Sequence, residues 1–201
     1  MAKIKHTKNE LKAQRDALKR FQRYLPTLLL KKQQLQLEVR QLDVKIEEKE
    51  AEYRKLQDGL AKWVKLFSEP VDFGQFLQIG EIRQMTGNIA GVNIPVLQDV
   101  VFKRTLPDLF DTSSWIDDGI RVLEQLTKVQ IERRVLKEQH RVLSEELRTT
   151  SQRVNLFEKV KIPECQENIR VIRIFLGDMQ TAEVARAKIA KGKSLQKVAA
   201  T

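Results

Sequence analysis

The chain has 201 residues, a net charge of +10 at pH 7 and 32% charged residues, but only 6% aromatic residues. This composition is typical of long helices and coiled coils, and it disfavours a large globular core. The sequence has no apolar run of the roughly 18–20 residues that a membrane-spanning helix needs, and its charged first residues contain no secretory signal. Its single cysteine, Cys165, cannot form an internal disulfide. We therefore expect a cytoplasmic protein.

Residues 1–68 are predicted to form a coiled-coil helix. From Leu11 to Phe67, positions spaced alternately by three and four residues are apolar or aromatic in fourteen of seventeen cases. A repeat of 3.5 residues keeps one seam facing a partner helix. The predicted seam includes Leu11, Leu18, Leu28, Leu35, Val39, Leu42, Ile46, Leu56 and Leu60. Pro26 lies inside this pattern, where we expect a kink or a local loosening but no end of the helix.

Residues 69–112 are predicted to form a small middle region with a short β-hairpin over about 77–102. This region has four of the eight glycines and three of the five prolines. Two β-rich runs, roughly Leu77–Asn88 and Ile94–Phe102, read as strands. We expect Gly87, Gly91 and Asn93 to supply positive φ angles for the turn. Pro95 is expected to begin the second strand at an edge, because it lacks an N–H.

Residues 113–190 are predicted to form a second coiled-coil helix, followed by a basic flexible tail over 191–201. Ser113 or Ser114 is expected to cap its amino end, and Pro163 interrupts its apolar stripe. Two helices of similar length joined by one insert pair most simply as an antiparallel hairpin. The predicted fold is therefore mainly α, a long antiparallel two-helix coiled coil with a β-hairpin in the middle. A homodimer in which each helix pairs with another copy is the alternative.

The positive charge is concentrated at the two ends of the chain. Residues 1–32 have a net charge of +8 and residues 184–201 have +5, so the rest of the chain is slightly acidic. In the antiparallel arrangement both basic segments lie at the same end, where they favour a negative partner surface. An acidic protein cavity and nucleic acid are both candidates. Only Phe21 and Tyr24 lie among the amino-terminal charges, which disfavours nucleic acid.

No catalytic, metal-binding or cofactor-binding residues are predicted. Neither His6 nor His140 has a second histidine or a cysteine at ligand spacing. The run AKGKS at 190–194 is similar to the end of a phosphate-binding loop, but Ala187 stands where that loop needs a glycine. We therefore expect a protein that is not an enzyme by itself.

Several segments resemble the D subunit of V-type and A-type ATPases, the central rotor shaft. The most specific is TTSQRVNLFEKVKIP at 149–163, with Arg153, Asn155 and Pro163 in matching places. The opening run from Lys8 to Val39 and the basic stretch EVARAKIAKGK at 183–193 are also similar to that family. The resemblance covers nearly the whole chain, and the insert is its most divergent part.

The resemblance implies an antiparallel two-helix shaft that carries torque during ATP hydrolysis or synthesis coupled to ion transport. The end with both termini would sit inside the ring of catalytic and non-catalytic subunits, of the A and B types. The middle region would bind the small F subunit of the stalk and connect through a further subunit to the membrane ring, so the chain would be peripheral at the cytoplasmic face of a membrane. The candidates for contact with the ring are Lys8, Lys12, Arg15, Arg186, Lys188, Lys191 and Lys193.

Three rival functions fit the pattern less well. A prefoldin-like chaperone subunit also pairs two terminal helices through β-hairpins, but this chain is long for that class. A basic coiled-coil nucleic-acid binder would show strongly salt-dependent binding. A cytoskeletal or scaffold coiled coil would have no evident use for the glycine-rich insert.

Overall fold

The computed structural model describes residues 4–61, 73–105, 113 and 115–199, with side chains described as far as residue 194. The predicted fold class is confirmed, because the described residues form long helices and one antiparallel β-hairpin. The chain forms two compact units. One comprises residues 1–30 and 150–201, and the other comprises residues 31–149. We call them the terminal unit and the central unit.

Helix α1 extends over Lys8–Ala61, and Pro26 lies within it. Its amino end is capped by Thr7, whose hydroxyl oxygen accepts a hydrogen bond from the backbone N–H of Glu10. A short polar side chain at this position satisfies one of the N–H groups that lack a helical partner. The predicted end of the helix at residue 68 lies outside the described residues.

The hairpin consists of β1, Leu77–Ile89, and β2, Val92–Arg104, after a 3₁₀ turn at Phe73–Gln75. Both turn residues have positive φ, 50° at Ala90 and 77° at Gly91. Two such residues match the twist of the flanking strands, as in type I′ turns. The expected positive φ at Gly87 and Asn93 is therefore wrong. Because the turn needs only two residues, both of these lie inside strands, Gly87 opposite Ile94 and Asn93 opposite Asn88.

The carboxyl-terminal half is helical from Ile116 to Ala199. It consists of α2, Ile116–Leu156, a π-helical turn at Phe157–Lys161, and α3, Ile162–Ala199. In the π turn the N–H of Ile162 donates to the carbonyl of Phe157, five residues earlier. This wider turn directly precedes Pro163, whose ring would crowd a regular turn. Residues 191–199 continue α3, so the helix does not end at the predicted position 190.

In the central unit, α1 and α2 pack antiparallel against each other. Cross-helix pairs join Lys31 to Glu146 and Asp43 to His140, so rising numbers on α1 meet falling numbers on α2. The core of this unit is a buried apolar cluster. It comprises Leu35, Leu42, Ile94 and Leu143. The hairpin thus shares a core with both helices.

In the terminal unit, the amino-terminal part of α1 also runs antiparallel to its partner. His6 packs against Phe175 with ring centroids 4.8 Å apart, and Phe21 packs against Phe157 at 5.0 Å. Buried apolar side chains on the carboxyl-terminal helices complete this core. They are Val154, Cys165, Ile169 and Ile172.

Candidate functional site

The hairpin is attached to the helix pair of the central unit through β2. Ile94 is only 4% exposed and lies in the core cluster with Leu42 and Leu143. Gln139 on α2 is 7% exposed, and its Nε2 donates a hydrogen bond to the carbonyl oxygen of Pro95. Pro95 therefore lies at the edge of the hairpin that faces α2, in the fourth position of β2 and not at its start. An apolar anchor and a buried hydrogen bond together fix this strand on the helices.

The base of the hairpin is joined to α2 by an ion pair between Arg104 and Glu124. An open cleft of about 550 Å³ lies between β2 and the two helices. Its walls include apolar residues such as Val96, Val100 and Leu136 and a mixture of acidic and basic side chains. Because the walls carry both signs of charge, the cleft favours neither anionic nor cationic small ligands.

Ion pairs cross between α1 and α2 at several levels of the central unit. Their nitrogen–oxygen distances are 2.7 Å for Lys31–Glu146, 2.8 Å for Lys49–Glu132 and 2.7 Å for Glu50–Lys137. At a further level, His140 Nε2 lies 3.0 Å from Asp43 Oδ1. Arg133 also lies 4.5 Å from the ring centroid of Tyr53, a cation–π contact across the same interface. Repeated polar contacts of this kind oppose sliding of one helix along the other.

Two of these pairs shift the pKa values of their members. Hydrogen bonds from Lys49 to Glu132 and then to Glu52 raise the pKa of Lys49. The hydrogen bond from Lys137 lowers the pKa of Glu50. In each case the charged form is stabilised by a partner of opposite charge.

The seven candidate ring-contact residues all lie in the terminal unit and are exposed. None of them takes part in an ion pair with another described residue. Their cationic groups are therefore open to water and to a partner surface.

The two basic segments do not lie side by side as the antiparallel arrangement predicted. The amino-terminal segment meets α3 near Asn168, which bonds Gln14, and near Phe175, which packs on His6. Lys188 lies thirteen residues beyond Phe175 on α3, which is about 20 Å along the helix axis at about 1.5 Å per residue. The separation arises because α3 continues beyond the start of α1. Alanines at 182, 185, 187 and 190 favour this exposed helical extension.

Large apolar side chains are exposed on the same stretch of α3. They are Val171, Ile174, Phe175, Met179, Val184 and Ile189. Scattered apolar residues are normal on a protein surface, but six on one helix beside unpaired lysines are more typical of a contact surface. The sequence pattern indicated the lysines here but not this apolar surface.

The part of the chain that the structure describes offers little reactive chemistry. Within it, no group of three or more histidine, cysteine or acidic side chains is arranged to hold a metal ion. Burial raises the pKa of the Cys165 thiol, which disfavours the reactive thiolate. None of the described helices has a stretch both long enough and apolar enough to cross a bilayer.

The continuous seam along α1 stays a prediction, and the burial of its residues is consistent with it. All nine seam residues are buried or half-buried, and Leu35 and Leu42 belong to the central core cluster. By contrast, Gln139 and the pair Arg104–Glu124 were missed. No local pattern identifies them, because each bond joins residues that are far apart in sequence.

Comparison with known proteins identifies the family. The family model for the ATP synthase D subunit matches residues 10–192. The V-type ATP synthase D subunit of Borreliella burgdorferi is 46% identical over 197 residues, which cover 98% of each chain. The V-type ATP synthase D subunit of Chlamydia muridarum is 37% identical over 97% of this chain and 98% of its own length. That of Chlamydia caviae is 34% identical over 98% of this chain and 96% of its own length. The chain therefore belongs to the family of ATP synthase D subunits.

Proposed function

We propose that this chain is the central-stalk rotor shaft of a V-type rotary ATPase and transmits torque between the catalytic ring and the membrane ring. The observation that carries the proposal is the antiparallel packing of α1 against α2, with a heptad seam and ion pairs at several levels. Two helices locked at many points resist bending and sliding better than one helix does. Membership of the D-subunit family supports the same role.

In this proposal the terminal unit sits inside the ring of A and B subunits. Its exposed lysines and arginines would contact a negatively charged sleeve, while the apolar residues of α3 fill the remaining surface. Exposed ion pairs contribute only about 0–1 kcal/mol each, so contacts of this kind can be exchanged one after another as the shaft turns. The chain needs no catalytic residue or cofactor of its own for this role.

The hairpin of the central unit is the proposed contact for the rest of the stalk. There the small F subunit of the stalk would bind, and a further subunit would link the shaft to the membrane ring. Gly91 lies in the turn of this hairpin, and Gly87, Asn93 and Pro95 lie in its strands. The complex would hold the chain at the cytoplasmic face of the membrane.

A pull-down of the tagged chain from gently solubilised membranes, with nuclease present, tests this function. We expect ring and stalk subunits together with ATPase activity that survives nuclease treatment. A matched tagged variant carrying Leu35→Asp and Leu143→Asp, which places charges in the central core, serves as the control and is expected to recover no complex. Recovery of nucleic acid and its binding proteins, lost on nuclease treatment, would contradict the proposal.

A further inference from the structure

The hairpin is docked through β2, so β1 is its outer strand. Ile94 and Val100 on β2 are buried, and the carbonyl of Pro95 is bonded by Gln139. On β1, in contrast, nine consecutive residues from 78 to 86 are exposed. Both faces of this stretch therefore meet water.

The backbone of β1 also has an open edge. In an antiparallel pair, alternate N–H and C=O groups point away from the neighbouring strand. Among the described residues, no hydrogen bond outside the β1–β2 ladder reaches the backbone of residues 78–86. A row of unpaired groups is a template for the addition of another strand.

This edge has few of the features that prevent strand pairing. β1 contains neither lysine nor proline. The ladder has two register shifts, one at Gly80 on β1 and one at Gln98 on β2, opposite the step from Arg83 to Gln84. The extra residue of the second shift belongs to β2, so β1 itself has no extra residue between Glu81 and Ile89. Ile79, Ile82 and Met85 are 52%, 41% and 51% exposed, which adds apolar surface to the strand. Proteins usually protect such edges with lysine, proline or bulges, so β1 is suited to pair with a further strand.

The charges of β1 indicate which strand it accepts. Glu81 and Arg83 are its only charged residues, 66% and 58% exposed, and they flank Ile82 symmetrically. Within one copy Arg83 Nε lies 3.2 Å from Glu81 Oε2, so pairing with a second copy exchanges one such contact in each copy for two across the axis. If a second copy pairs antiparallel about a two-fold axis at Ile82, Glu81 of each copy faces Arg83 of the other. A parallel arrangement would place like charges opposite each other, which is unfavourable. The edge is therefore complementary to itself in the antiparallel direction.

We propose that two free copies of this chain pair through the outer edges of β1 to form a four-stranded antiparallel sheet. Ile82 of one copy lies opposite Ile82 of the other, between two reciprocal ion pairs. This pairing concerns the chain before it joins a complex, and it does not depend on the proposed function. The dimer covers an edge that otherwise favours aggregation.

Charge exchange tests this pairing directly. Glu81→Arg and Arg83→Glu each place like charges opposite each other in a homodimer, so each is expected to raise the dimer Kd about tenfold. An equimolar mixture of the two variants restores both opposite-charge pairs and is expected to form a heterodimer. The double variant E81R/R83E is expected to dimerise like the unmodified chain. Light scattering coupled to size exclusion measures the mass across a concentration series.

A cysteine at the proposed axis provides a second readout. In a Cys165→Ser background, Ile82→Cys places two thiols opposite each other, within the Cα spacing that a disulfide tolerates. Mild oxidation is expected to link two chains, whereas Gln78→Cys, away from the axis, is expected to give little linkage. Circular dichroism confirms that the variants fold. A monomeric unmodified chain throughout the series, single variants that dimerise as strongly as it does, or a mixture that stays monomeric would overturn the proposal.

Discussion

The side-chain amide of Gln139 on α2 donates a hydrogen bond to the backbone carbonyl of Pro95 on β2. The bond joins residues 44 positions apart, and Gln139 is almost fully buried. It satisfies a carbonyl at the edge of the hairpin that faces the helix pair. Together with Ile94 in the core, this bond holds the hairpin in a fixed place on the helices.

Replacement of Gln139 by leucine is expected to loosen the hairpin. The carbonyl of Pro95 would lose its donor, and an unsatisfied buried polar group costs about 1–3 kcal/mol. Urea unfolding should show a lower free energy of unfolding, and hydrogen exchange should become faster at the amides of β2. Gln33→Leu, at an exposed position of α1, is the matched control. Equal stability and exchange in both variants would contradict the anchoring role.

Glycine-to-alanine substitutions at two positions are expected to have opposite effects. Gly91 has a φ of 77°, so alanine there is strained by about 1–2 kcal/mol although no atom lies within 4 Å of the added Cβ. Gly177 lies inside α3 with equally open space, and alanine there is expected to stabilise the helix by up to about 1 kcal/mol. Thermal unfolding followed by circular dichroism measures both. Two shifts of the same sign would contradict the assignment of the turn.

The Glu50–Lys137 pair is expected to contribute stability that disappears in acid. Lys137 lowers the pKa of Glu50 in the folded state below its ordinary value of 4.5. A lowered folded-state pKa gives stability that is present above the unfolded value and is lost as pH falls through the folded value. The difference in unfolding free energy between the unmodified chain and Lys137→Met should therefore shrink below about pH 4.5.

Lys55→Met is the control for this pH dependence. Lys55 is exposed and takes part in no ion pair with another described residue. The effect of removing it is expected to stay nearly constant between about pH 3 and pH 7, a range that spans the ordinary glutamate pKa of 4.5. A Lys137→Met difference that also stays constant across this range would contradict the contribution of the pair.

Neutralisation of the basic end of α3 is expected to impair the complex and not the fold. Lys188→Gln, Lys191→Gln and Lys193→Gln together remove three exposed charges from the terminal unit. We expect weaker assembly into the ring or weaker coupling between ATP hydrolysis and ion transport, with unchanged helicity. Recovery of ring subunits and ion uptake by membrane vesicles measure these effects.

A triple variant at Lys45, Lys55 and Lys128, each changed to glutamine, removes the same charge from exposed positions of the central unit. It is expected to assemble normally. If both triple variants assemble and couple like the unmodified chain, the basic end of α3 has no role in contact with the ring.

The helices and the hairpin were predictable because local patterns determine them. The heptad spacing from Leu11 onward predicted a long first helix, and the glycines around residue 90 located the turn. The exact turn was not predictable, because Ala90 takes a positive φ that its type disfavours. Its neighbours Val92 and Ile94 pack in the core of the central unit, and this tertiary contact overrides local preference.

The offset between the basic segments was less accessible from sequence. Antiparallel pairing predicted that both termini lie at one end, but the positions at which the two helices end depend on their register. That register is set by contacts such as His6–Phe175 and Gln14–Asn168, which no periodicity specifies. Pro163 did mark an interruption in the helix, but the sequence does not show that this interruption takes the form of a π turn at Phe157–Lys161.

The most direct test of the rotor function is single-molecule rotation. The catalytic ring, reassembled around the chain, is fixed to a surface. A bead is then attached to the chain itself through Thr86→Cys, an exposed position on β1, in a Cys165→Ser background. If the chain is the shaft, the bead turns in one direction when ATP is added and stops when ATP is removed. A bead that stays still while the same complexes hydrolyse ATP would contradict the function of this chain as the shaft.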